Sequence, residues 1–94
     1  MSMKKLNRKE YDKILAECRE ISIKKANDYG ADVLEVFGEK GAVVRMSDKM
    51  HRLLNLIWHQ TKPKVNDEKV EDTTKDLINY AAYLIMINRG KLTE

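Results

Sequence analysis

Val70-Glu71-Asp72-Thr73-Thr74-Lys75-Asp76-Leu77-Ile78-Asn79-Tyr80-Ala81-Ala82-Tyr83-Leu84-Ile85-Met86-Ile87 carries two helical patterns side by side. Val70, Thr74, Leu77, Ile78, Ala81, Leu84 and Ile85 recur three and four apart, the spacing of one apolar helix face. Glu68, Asp72, Asp76, Asn79 and Tyr83 recur at the same interval on the adjoining face. The spacing predicts a helix over about 67–89. Asn66 is placed to cap it, Val65 and Val70 to staple its start, and Gly90 to stop it. From Tyr80 to Ile87 the pattern is apolar nearly all round, which calls for burial on several sides. A chain of 94 residues cannot supply that alone, so a homo-oligomer is expected, most simply a two-fold dimer through this C-terminal helix.

Upstream, the same periodicity continues. Asn7 and Glu10 are set to cap a first helix over about 8–28, with Leu6 stapled to Tyr11. Tyr11, Ile14, Leu15, Cys18, Ile21 and Ser22 would form its inner face, and Gly30 its end. Two readings are open for Ala31–Gly38: a short helix capped by Asp32 and closed by Gly38, or a strand over Val33–Phe37 without an evident partner. A further helix is expected over about 42–60, with Val43, Met46, Met50, Leu53, Leu54 and Ile57 inward. Arg45, Asp48, Lys49, Arg52 and His59 would lie outward. Gln60–Asp67, with the one proline, reads as a loop. The fold class is therefore all-α: three main helices and a short connecting helix, one domain over 1–94.

Composition narrows the function. A single cysteine excludes an internal disulfide, and Cys18 falls in an apolar stripe suited to packing. The longest apolar run, Tyr80–Ile87, is far short of the ~20 residues that span a bilayer. The start of the chain offers no stretch suited to a signal peptide. No membrane partner and a cytoplasmic setting, in a cell or made by something that infects one, are expected. Eighteen basic residues are interleaved with fifteen acidic ones, so the net charge of +3 makes no duplex-binding stripe. Lys4, Lys5, Arg8 and Lys9 read as a solvated helix start, and nucleic acid is not the expected partner. His51 and His59 lack the spacing of a zinc site, and no glycine-rich phosphate loop or GxSxG elbow occurs.

What stands out is charge on two helices. Asp72 and Asp76, four apart, can reach one hard cation through oxygen. Arg45, Lys49 and Arg52 suit phosphate oxygens, with Asp48 beside them. If the two helices run antiparallel with these faces together, acids and bases surround one cleft fit for a nucleoside phosphate with Mg²⁺. Like charges a turn apart also disfavour a helix unless something positive sits nearby, and Arg45 or Arg52 alone could be that partner. Tyr29, Asn79 and Trp58 are the groups placed to meet a base.

Lys24-Lys25-Ala26-Asn27-Asp28-Tyr29-Gly30, Phe37-Gly38-Glu39-Lys40-Gly41, Arg45-Met46-Ser47-Asp48-Lys49 with Arg52-Leu53, and Glu71-Asp72-Thr73-Thr74-Lys75-Asp76-Leu77 with Asn79-Tyr80-Ala81 form four ordered blocks. In these blocks the chain resembles the nucleotide modification associated domain 1 family, common in phages, over about Cys18–Ile87. The resemblance implies a link to nucleotide or DNA-base modification. A looser similarity is to the all-α nucleoside triphosphate pyrophosphohydrolases of the MazG and dimeric dUTPase type. These hold Mg²⁺ with ExxE and ExxD motifs on two helices. Glu71–Asp76 with Asn79-Tyr80 is similar to the second motif, spaced DxxxD. The first is absent, since Arg45–Lys49 holds one carboxylate among cations. On that similarity Asp72 and Asp76 would hold Mg²⁺, and Asp76 and Asp48 would be catalytic, Asp48 orienting Lys49 or a water. Arg45, Lys49, Arg52, Tyr29 and Asn79 would contact substrate. The alternatives are a non-catalytic nucleotide binder, favoured by the missing acids, and a helical module that partners a DNA-modifying enzyme.

Overall fold

The computed structural model describes residues 4–29, 32–60 and 69–94, without the side chains of 27–29 and 32–33. Three α-helices account for most of it: α1 (Arg8–Tyr29), α2 (Asp32–Leu53) and α3 (Val70–Asn88). No strand occurs among the described residues, so the open reading of 33–37 resolves to helix. The expectations for Gly30, Asp32 as a cap, Val65 and Asn66 fall outside what is described.

Local chemistry explains the ends. Asn7 accepts a hydrogen bond from the Glu10 amide at 3.1 Å, satisfying one of the orphan donors of α1. Leu6 is exposed, so the expected staple to Tyr11 gives way to Arg8, whose guanidinium lies 5.8 Å from the Tyr11 ring centroid. Gly90, at φ 69°, ends α3. Its amide donates to the Ile87 carbonyl at 2.9 Å and the Lys91 amide to the Met86 carbonyl at 2.8 Å, the double bond of a Schellman stop. At its start α3 differs from expectation. Lys69 is extended and the helix begins at Val70, without a side-chain cap.

The connecting helix and the next one are not separate elements. Helical hydrogen bonding runs from Asp32 to Leu53 through Gly38, which sits at φ 59°, ψ −141° and kinks α2. Regular helix thus resumes at residue 39 instead of the expected 42. Beyond Leu53 the last turn widens to a π-helical turn, Leu54–Trp58, closed by a 3.0 Å bond from the His59 amide to the Leu54 carbonyl.

α3 is the centre of the protomer, packed chiefly against α2 and on another side against α1. Tyr80, Ala81, Tyr83, Leu84, Met86 and Ile87 are half-buried there, leaving Ala82 and Ile85 as the exposed apolar positions of that segment. The interior is small. Among the described hydrophobic residues only Cys18 and Ala42 are buried, joined by the polar Thr73 and Asn79. On α2 Ala42 is buried and Leu34, Met46, Lys49, Arg52 and Leu53 are among the half-covered positions, whereas Val43 and Met50, and Leu54 just beyond the helix, are exposed. The inner face of α2 is therefore rotated toward its charged side, and four of the six apolar positions expected inside, Val43, Met50, Leu54 and Ile57, are exposed. No helix among the described residues is long and apolar enough to cross a membrane.

Candidate functional site: a cationic groove beside a lysine-bridged aspartate

Asp76 stands midway along α3, facing both neighbours. Its Oδ1 accepts a 2.7 Å bond from Lys25 Nζ of α1, and its Oδ2 lies 3.4 Å from Lys49 Nζ of α2. The like-charge problem of Asp72 and Asp76 is thus relieved at Asp76 by two ammonium groups. Lys49, expected to lie outward on α2, turns toward α3 instead, whereas Arg45 and Asp48 stay exposed. Lys25 is the residue missed. It continues the inner stripe of α1 at the same spacing as Cys18, Ile21 and Ser22, which could have placed it.

Around this node lie further ties. Lys75 Nζ sits 3.1 Å from Glu17 and 3.0 Å from Glu71, and these hydrogen bonds, first to Glu71 and then to Glu17, raise its pKa above the usual lysine value. Ser22 Oγ and Tyr83 Oη share a hydrogen bond between α1 and α3. Asn79, buried, donates through Nδ2 to the Cys18 carbonyl at 3.0 Å. That contact takes Asn79 away from an open ligand surface and makes it a tie between helices. Burial pushes the Cys18 thiol pKa up, keeping it protonated and unreactive.

The other predicted residues gather on α2. Arg45, Ser47, Asp48, Lys49, His51, Arg52 and Asn55 line a groove of about 610 Å³. That lies in the 300–1,000 Å³ range of small-molecule sites. Arg45 and Asp48 are exposed, Lys49 and Arg52 half-buried. Three basic side chains and one carboxylate line the groove, and among the described residues Lys49 also touches Asp76, itself shared with Lys25. Two guanidinium forks and an ammonium form a donor set matched to phosphate oxygens. Tyr29 ends α1, and its side chain lies outside the described residues.

The acids do not form a matching cation site. Asp72 is exposed, and both oxygens of Asp76 engage lysines. No group of three or more His, Cys, Asp or Glu able to hold a metal ion occurs among the described residues. Mg²⁺ at the Asp72–Asp76 pair would have to displace two ammonium groups, so this donor set does not fit a resident metal. No protein-family model matches the chain, and neither a curated protein nor a solved structure matches it.

Proposed function

We propose that this protein binds a nucleoside phosphate through the α2 groove, with Arg45, Lys49 and Arg52 holding the phosphate, and that it acts as a binder. The observation that carries the reading is the excess of cations over acids in a groove of ligand size. The resemblance to the nucleotide modification associated domain 1 family, carried in part by the Arg45–Lys49 and Glu71–Leu77 blocks, supports a nucleotide as the source of that phosphate. Engagement of Asp76 by Lys25 and Lys49 favours binding over Mg²⁺-dependent hydrolysis.

Isothermal calorimetry tests this with deoxynucleoside mono- and triphosphates, in Mg²⁺ and in EDTA. The expected result is saturable binding in both. Removing either guanidinium should weaken it by about 1.5–3 kcal/mol, the range for a charged hydrogen-bond donor. Binding that persists undiminished in Arg45→Ala/Arg52→Ala contradicts the assignment.

A further inference from the structure

The other side of α2 poses a separate problem. Val43, Ser47, Met50 and Leu54 follow one another at intervals of four, three and four, the spacing of a coiled-coil seam. Ile57 continues it on the π-helical turn, and Val36 precedes it beyond the kink. Ser47 is exposed, and the five apolar positions are between 47% and 74% exposed. α3 covers the adjoining face of α2 and leaves this one bare.

The chain as a whole leaves more surface open than a compact protomer of its size would. The chain exposes 8177 Å². A folded monomer of 11.0 kDa exposes about 5,600 Å² by the usual scaling, roughly 2,500 Å² less. Likewise its radius of gyration is 15.3 Å, against about 12 Å for a compact chain of this length. Obligate homodimers remove about 1,000–2,500 Å² from each subunit, which is the scale of this surplus.

We propose that the Val43–Ser47–Met50–Leu54 face of α2 is covered by the same face of a second copy of this chain. The need is constant, because a protomer that buries only two of its described hydrophobic residues lacks a core of its own. A second copy is always present when the chain folds, and two-fold pairing demands a self-complementary patch. The seam supplies one. Set antiparallel, Ser47 falls opposite Met50 of the second copy and Val43 opposite Leu54 of the second copy, small against large in each layer. This moves the self-association surface from α3, where the all-round apolar run suggested it, to α2. It borders the groove, since Ser47 belongs to both, while Arg45, Lys49 and Arg52 lie outside the seam.

Light scattering of the purified full chain gives the first test, with twice the 11.0 kDa protomer mass expected at micromolar concentration. Leu54→Lys should yield the protomer mass or lose helicity, whereas Ile85→Lys on α3 should keep the doubled mass. Thiol labelling decides the face without relying on a disruptive variant, since Cys18 is buried. Leu54→Cys should label roughly ten-fold slower than Ile85→Cys, and the difference should vanish on dilution through dissociation, ten-fold being about 1.4 kcal/mol of protection. A helical wild-type chain of protomer mass overturns the proposal. So does equal labelling at 54 and 85 in the undiluted protein, or loss of the doubled mass in Ile85→Lys alone.

Discussion

Asp76 is where two readings of the molecule part. As a metal ligand it would be indispensable; as the counterion of Lys25 and Lys49 it restrains two ammonium groups, one of which lines the groove. Asp76→Asn keeps the shape and removes the charge. Nucleotide affinity should hold or rise, by up to about five-fold, as Lys49 is released; a drop to no binding would favour the metal-ligand role. Because the ion pairs are partly exposed, the stability cost should stay within about 1 kcal/mol. Asn79 is the opposite case. Its amide is buried against the Cys18 carbonyl, so Asn79→Ala removes an interhelical bond and should cost about 0.5–1.5 kcal/mol in denaturant unfolding. Sequence spacing placed Asn79 on the acidic face correctly but could not tell a ligand contact from an interhelical one. That distinction depends on how α1 crosses α3. Lys75 and Cys18 give the alkaline side of the stability profile. Both hold their protons more tightly when folded, Lys75 through Glu71 and Glu17, Cys18 through burial. Their stabilisation is therefore complete below the ordinary values, 10.5 and 9.0, and lost as pH rises through the folded ones. Thermal melts should fall across that range, and Lys75→Met should flatten the part above about 10.5.

Among the elements, α1 and α3 were largely legible because their signals are local: Asn7 at one end, Gly90 at the other, and unbroken three–four spacing between. α2 was not. Gly38 reads in sequence as a terminator, yet here it kinks a helix that goes on, at backbone angles only glycine tolerates. A Cβ there would meet open space, so the penalty of Gly38→Ala is conformational alone, about 1–3 kcal/mol by denaturant midpoint. A smaller loss would mean the kink is not required. The inner stripe of α2 was misjudged for a different reason. Apolar periodicity identifies everything that avoids water, and Val43, Met50 and Leu54 belong to that set yet stay exposed in the protomer. Lys49 half-buries in their place because Asp76 receives it.

For the whole molecule, an all-α bundle and its groove residues could be read from the sequence, while the openness of the protomer could not. Composition fixes how much apolar surface exists, and only packing decides how much of it one chain covers. If a second copy completes the core, stability is tied to association, and the melting temperature should climb as protein concentration is raised. A melting temperature independent of concentration would speak for a self-sufficient protomer. The groove and the seam share Ser47 but not the cations, so Arg45→Ala/Arg52→Ala ought to lose nucleotide while keeping its mass. The most direct test of nucleotide binding is ³¹P NMR of a mixed nucleotide pool with Mg²⁺, recorded with and without the protein. Selective broadening of one nucleotide's phosphate lines, with no new resonances and with the effect abolished in Arg45→Ala/Arg52→Ala, is the result expected. An unchanged spectrum, or the growth of monophosphate and pyrophosphate lines, would contradict it.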